Sequence, residues 1–202
     1  MSAELPVVPG GFKTIAADPP WPYDQKLGRA DQGDKTRGGL PYEPMTLEEI
    51  RALRVGDVAA SDSVVFLWAT SSHLHDAFHV LEAWGFEYKA VRMAWVKNRM
   101  GLGYWLRGIS EYILLGVRGN PREKMVGPHG ATGLNETTVF QADIGPHSRK
   151  PPEAHVFFEN YYLPPRLELF ARPPLRAGWT VWGVQAGGQV QNSLDGPEEP
   201  KV

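Results

Sequence analysis

Residues 12–17, Phe-Lys-Thr-Ile-Ala-Ala, form a short apolar run that stops at Asp18-Pro19-Pro20-Trp21. A run of this length closed by prolines reads as a buried strand. Each proline fixes φ and removes a backbone donor, so neither ladder nor helix continues easily through the pair. The strand must end there, with a carboxylate, carbonyls outside any ladder and an aromatic ring at its carboxyl edge. Such a group suits a site that grips a planar base by its amino group. The alternative, on these four residues alone, is an ordinary strand stop, because Asp is common in turns.

The rest of the chain alternates strands and helices. Thr46-Leu47-Glu48-Glu49 is a capping box and predicts a short helix over 47–53. Residues 63–69 read as a fully buried strand. A helix follows from about Ser72, with Leu74, Phe78, Leu81 and Trp84 on its apolar face and Gly85 as its C′ residue. Residues 86–90, 92–96 and 111–117 read as three strands. Pro152 suits the first turn of a helix running through Phe157 and Tyr161, and residues 166–170 and 179–182 read as the last strands. The pattern predicts an α/β fold with a mostly parallel central sheet. Ligands of such sheets bind beyond the carboxyl ends of the strands. Asp18, Arg172 (after the strand holding Glu168) and Gln185 (after the strand ending at Trp182) are therefore expected to meet in one crevice.

Composition removes several function classes. The 202 residues suit one domain, and 42% hydrophobic against 22% charged residues describe a globular chain. Without cysteine there is no disulfide, thiolate zinc site or cysteine nucleophile, which fits a cytoplasmic protein. The longest apolar run, Val64 to Trp68, has strand length, so no membrane span is expected. No basic stretch followed by an apolar one opens the chain, which predicts no signal peptide. Neither GxGxxG nor GxxxxGK[ST] occurs, which argues against an NAD enzyme and a P-loop NTPase. The net charge of −2 gives no global basic field. Residues 92–124 nevertheless carry seven basic residues against two acidic ones, a patch that could hold phosphates or could be plain solvated surface. His75 and His79 have a zinc-compatible spacing, but they flank the apolar helix face and read as solvated, so no metal site is expected. After Gln185 the chain is rich in Gly and Pro. The expected organisation is one domain over 1–185 and a disordered tail over 186–202.

Short blocks in a fixed order then carry a resemblance. After Asp18-Pro19-Pro20-Trp21 come Leu40-Pro41-Tyr42-Glu43-Pro44-Met45, Phe66-Leu67-Trp68-Ala69-Thr70, Trp84-Gly85-Phe86 and Trp95-Val96-Lys97. Gly103-Tyr104-Trp105-Leu106-Arg107, Glu111 and Gly116-Val117-Arg118-Gly119-Asn120-Pro121 follow. His147-Ser148-Arg149-Lys150-Pro151, Glu168-Leu169-Phe170-Ala171-Arg172 and Gly178 to Gly183 complete the series. From about Ile15 to Gln185 the chain resembles the MT-A-seventy family of S-adenosylmethionine-dependent adenine-N(6) methyltransferases, in a prokaryotic or phage-like form. The resemblance implies a circularly permuted Rossmann-like methyltransferase fold with helices on both sheet faces. The catalytic strand comes first, the cofactor strand (168–170) near the end, and the helix between the last two strands is missing or stunted.

The resemblance also implies roles. Asp18, Pro19, Pro20 and Trp21 form the catalytic motif: the Asp18 carboxylate and the Pro19 carbonyl take the amino group, and Trp21 and Tyr42 stack on the base. Lys97, Arg107 and Glu111 join Tyr42 on the substrate side. Ala17, Asp18, Lys150, Glu168, Phe170, Arg172 and Gln185 surround the cofactor, with Lys150 meeting its carboxylate. Val184 replaces a common Asn of the family, and residues 24–39 form an extension read as a mobile substrate loop. The partner implied is nucleic acid, with DNA ahead of RNA and the target adenine flipped out or single-stranded. A non-catalytic partner subunit is the rival of another class. A homodimer is open, because related enzymes pair and seven tryptophans leave apolar surface to spare.

Overall fold

In the computed structural model, β1 (Phe12–Ala17) lies inside a seven-stranded sheet of order β5-β3-β4-β2-β1-β6-β7. The structure describes residues 4–22, 44–101, 105–121, 137–145 and 149–183. The other strands are β2 (Ala59–Ala69), β3 (Glu87–Lys97), β4 (Ser110–Arg118), β5 (Val139–Ala142), β6 (Arg166–Leu169) and β7 (Thr180–Trp182). β1 pairs in parallel with β2 and β6, β6 with β7, and β3 with β5. β4 is antiparallel to both its neighbours, β2 and β3. Among the described strands β4 alone is reversed, so the sheet is mostly parallel as expected.

Helices cover both faces. Along β2, Val65 and Leu67 face one core with Ile50, Ala77, Val80, Leu81 and Trp84. Val64, Phe66 and Trp68 face the other with Ala154, Phe158 and Trp179. This period-two split explains why a strand buried on both sides reads as one unbroken apolar run. The first core is closed by α1 (Leu47–Arg51), α2 (Val55–Val58) and α3 (Leu74–Ala83), and the second by α4 (Pro152–Tyr161). The capping box forms in full, with Glu49 N–H donating to Thr46 Oγ1 at 3.2 Å and Thr46 N–H to Glu49 Oε2 at 2.8 Å. α3 ends in a reciprocal cap: Phe86 N–H reaches the Leu81 carbonyl at 2.9 Å, Gly85 N–H reaches that of Glu82 at 3.0 Å, and Gly85 has φ +80°. Pro152 opens α4 at its first turn. No helix stands between β6 and β7.

Several expectations are corrected. One strand, β3 (Glu87–Lys97), replaces the two expected over 86–90 and 92–96; its pairing shifts register near Tyr88 and Val91, and both side chains are exposed. α2 and β5, of four residues each, are too short to show a period. A 3-10 turn over Ser71–His73 precedes α3, whose buried face is Ala77, Val80, Leu81 and Trp84. Phe78 lies at the rim, 38% exposed, edge-on to Tyr88 at 4.8 Å. Among the described residues the basic stretch divides, because the β3–β4 hairpin sends its cations to different ends of the sheet. Lys97 reaches the carboxyl edge, Arg92 lies over Phe157, and Arg118 donates to the Gly56 carbonyl at the far end. Arg122 and Lys124 lie outside the described residues. Of the tryptophans, Trp21, Trp68, Trp84, Trp95 and Trp179 are buried, while Trp105 is fully exposed, with Met100 and Leu106 also largely exposed. Among the described residues no helix is long and apolar enough to cross a membrane.

Candidate active site

All described strands except β4 point their carboxyl ends at one edge of the sheet. Because β4 runs backwards, its first residues reach that same edge. Asp18 follows β1, Lys97 ends β3, Glu111 begins β4 and Arg172 follows β6. Lys150 precedes α4. These five side chains form an alternating ladder. Lys97 Nζ donates to Glu111 Oε1. Lys150 Nζ stands 3.0 Å from Glu111 Oε2 and 2.8 Å from Asp18 Oδ1. Arg172 completes the row, 3.4 Å from Asp18 Oδ2.

The ladder is poorly hydrated, so charge pairing decides its state. Burial opposes a charged Lys150, but the carboxylates of Asp18 and Glu111 outweigh it and hold the ammonium above its ordinary range. Burial likewise opposes a charged Glu111, and the ammoniums of Lys150 and Lys97 hold its carboxyl below the usual range. Lys150 also lies over the Trp68 ring at 5.3 Å.

Beside Asp18 a cleft of about 190 Å³ opens between β1, β6 and α4. Ala17, Asp18, Lys150, Glu168, Phe170 and Arg172 all line it. Six of the seven residues expected around a cofactor are thus brought together; the seventh, Gln185, lies outside the described residues. So do Tyr42, Val184, the loop over 24–39 and the tail. Phe170 adopts φ +61°, a left-handed conformation that costs a non-glycine residue about 1–2 kcal/mol. It is held by its edge-on contact with Trp182 at 5.6 Å and by the Ala171 N–H bond to the Trp182 carbonyl at 3.1 Å. Gly183 passes so close behind that a Cβ there would meet the Phe170 Cα at 2.9 Å.

The substrate-side residues separate. Lys97 and Glu111 join the ladder but do not line the cleft. Arg107 is elsewhere: its guanidinium braces the β3–β4 hairpin, donating to the carbonyls of Gly101 at 3.0 Å and Met100 at 3.3 Å. Trp21 is not a free stacking surface. Its ring packs parallel to His73 at 5.3 Å, its Nε1–H donates to the Trp68 carbonyl at 3.0 Å, and it is 3% exposed. It anchors the turn that aims Asp18. The Pro19 carbonyl accepts the Trp21 N–H at 2.8 Å and keeps a second lone pair. The Pro20 carbonyl accepts from Met45 at 2.9 Å.

His155 is among the cleft residues that sequence reasoning missed. His155 lies one turn into α4, on the side of Pro152, and both line the cleft. The signal was its three-residue spacing from a proline that starts a helix beside Lys150.

A seven-stranded α/β sheet with one reversed strand, covered on both faces and gathering its polar residues at the carboxyl edge, defines a Rossmann-like methyltransferase fold. The order is permuted: β6, near the far end of the sequence, pairs with β1. The MT-A70 family model matches residues 12–185, and the chain belongs to that family. It is similar to the type II methyltransferase M.MunI of Mycoplasma sp, 28% identical over 95% of this chain and 83% of that protein. It is also 32% identical to an MT-A70-like N(6)-adenosine-methyltransferase of Arabidopsis thaliana over 89% of this chain. The human N(6)-adenosine-methyltransferase catalytic subunit METTL3 is 30% identical over the same share. This chain spans only 24% and 29% of those two proteins' lengths.

Proposed function

We propose that this chain is an S-adenosylmethionine-dependent methyltransferase that modifies the N6 amino group of adenine in DNA. The observation that carries the reading is the Asp18 carboxylate, presented by a Pro-Pro strand stop at the mouth of a cleft whose other walls suit a nucleoside cofactor. Its substrate class is supported by the relatives named for N(6)-adenosine. DNA is preferred to RNA because the type II methyltransferase is matched over 95% of this chain and 83% of its own length, while the adenosine enzymes are matched over about a quarter of theirs.

The cleft fits the cofactor on chemical grounds. Glu168 offers a carboxylate to hydroxyl donors, Phe170 and Leu175 offer apolar walls, and His155 Nε2 is a buried polar atom lacking a hydrogen-bond partner. When bound, S-adenosylmethionine supplies a methyl group on a positively charged sulfur. The chain's own part is positioning. Asp18 accepts one amino hydrogen and the spare lone pair of the Pro19 carbonyl the other. This favours a pyramidal nitrogen whose lone pair is less delocalised into the ring. Lys150 and Arg172 hold the Asp18 carboxylate from two sides, so it need not reorganise as the base arrives. In-line transfer needs the nitrogen and methyl carbon within about 3–3.5 Å. A base inside a duplex cannot reach this edge, so the target must be single-stranded or flipped out.

Transfer of tritiated methyl groups to matched DNA and RNA oligomers tests both parts of the reading. DNA is expected to be the better acceptor; preference for RNA would overturn the polymer assignment. Asp18→Ala is expected to lower transfer by about 10²–10³-fold while leaving S-adenosylhomocysteine binding within a few-fold, since Lys150 keeps its contact with Glu111. An active Asp18→Ala enzyme would remove the mechanism.

A further inference from the structure

His155 and Glu168 meet across the cleft from different elements, α4 and β6. Nε2 of His155 is 3.3 Å from Glu168 Oε1, and their side chains are 12% and 21% exposed. Despite its burial, Nε2 makes no hydrogen bond among the described residues, so the approach to Glu168 is close but not aligned. The imidazole cannot easily turn away. It lies edge-on to Trp179 at 5.1 Å and to Phe158 at 5.8 Å. Glu159, next along α4, is taken by Arg176 and by the Trp179 Nε1–H at 2.8 Å.

A buried polar atom held in place without a partner is costly unless a ligand completes it. A carboxylate only accepts, and an imidazole carrying its proton on Nε2 donates there. Side by side they offer one acceptor and one donor, the complement of a single hydroxyl group, which both donates and accepts. We propose that His155 and Glu168 together bind one ribose hydroxyl of the nucleoside cofactor, the hydroxyl proton going to Glu168 and its oxygen accepting from His155. The inference rests on the cofactor reading above and adds a residue to it. His155 sets a demand for ribose over deoxyribose that Glu168 alone would set weakly, because a site built for a hydroxyl is left with unpaired groups by the analogue that lacks it.

The test is calorimetric titration of the full-length protein with S-adenosylhomocysteine and with its 2′-deoxy and 3′-deoxy analogues. Wild type is expected to bind one deoxy analogue at least tenfold more weakly than the parent. His155→Phe keeps the ring contacts and removes the donor; it should lose at least tenfold for the parent and nearly nothing for that analogue. His155→Gln, which restores an N–H donor, should recover most of the difference. Two results overturn the pair: His155→Phe binding the parent as wild type does, or losing affinity equally for the parent and both analogues. If His155→Phe does not fold, the wild-type analogue series and His155→Gln decide alone. A wild type indifferent to both deoxy changes, or a His155→Gln variant no better than a donor-free site, rejects the inference. Failure of wild type to bind S-adenosylhomocysteine would instead remove the cofactor reading, and this pair with it.

Discussion

Lys150 is held between two carboxylates, 2.8 Å from Asp18 and 3.0 Å from Glu111. Removing one partner of a buried charge cluster costs more than the cluster contributes, because the remaining charges stay desolvated. Lys150→Met is therefore expected to destabilise the fold by about 3–5 kcal/mol, a fall of roughly 6–20 °C in melting temperature for a chain of this size. Its pH dependence should differ from that of wild type. Glu111 is held below its ordinary 4.5, so its contribution is complete above that value and fades as pH falls through the lower, folded value. Lys150 is held above its ordinary 10.5, so its contribution is complete below 10.5 and fades only as pH rises through the folded value. Wild-type stability from the ladder is thus flat across neutral pH. With Lys150 gone, Lys97 alone opposes the burial of the Glu111 carboxylate, and the variant should gain stability on mild acidification. Melting curves from pH 5 to 9 read this directly; a variant as flat as wild type would refute the coupling. Asp18 was legible in the sequence, since two prolines announce a strand end. The ladder was not, because its members come from four strand ends and one loop, and only their arrangement in space makes them neighbours.

At the level of elements, local signals were read well wherever the backbone itself is constrained. The capping box, the glycine ending α3 and the proline opening α4 each act within a few residues. Gly85 offers a clean test: nothing lies within 4 Å of a Cβ built there, so substitution changes conformational strain and little else. Gly85→Ala is expected to cost about 1–2 kcal/mol, and Gly85→Asn less, because asparagine tolerates the left-handed region. Equal losses in denaturant titration would mean that φ is not the cause. Strand direction was not legible, because an apolar run looks the same read up or down the sheet. That one unknown hid how Glu111, at the start of a strand, could share an edge with Asp18, at the end of another. The spread of the basic residues was hidden for the same reason, since a hairpin separates in space what is contiguous in sequence.

For the whole molecule, the cleft lies between parts that are distant in the chain, so a ligand filling it should stabilise the folded state as a unit. At 100 times its dissociation constant, S-adenosylhomocysteine adds about 2.7 kcal/mol, or roughly 5–10 °C in melting temperature. An unshifted transition at saturating ligand would contradict a site built across β1, β6 and α4. The adjacency of β1 and β6 also has a bearing on biosynthesis. Thr14 of β1 donates its hydroxyl to the Leu163 carbonyl just before β6, 149 residues later. At about 5–20 residues per second, a ribosome delivers that partner roughly 7–30 s after β1 has emerged. Through that interval the strand bearing Asp18 has one hydrogen-bonding edge unfilled, an apolar ribbon open to any other chain. The permuted order thus lengthens the time for which the nascent first strand is open to aggregation.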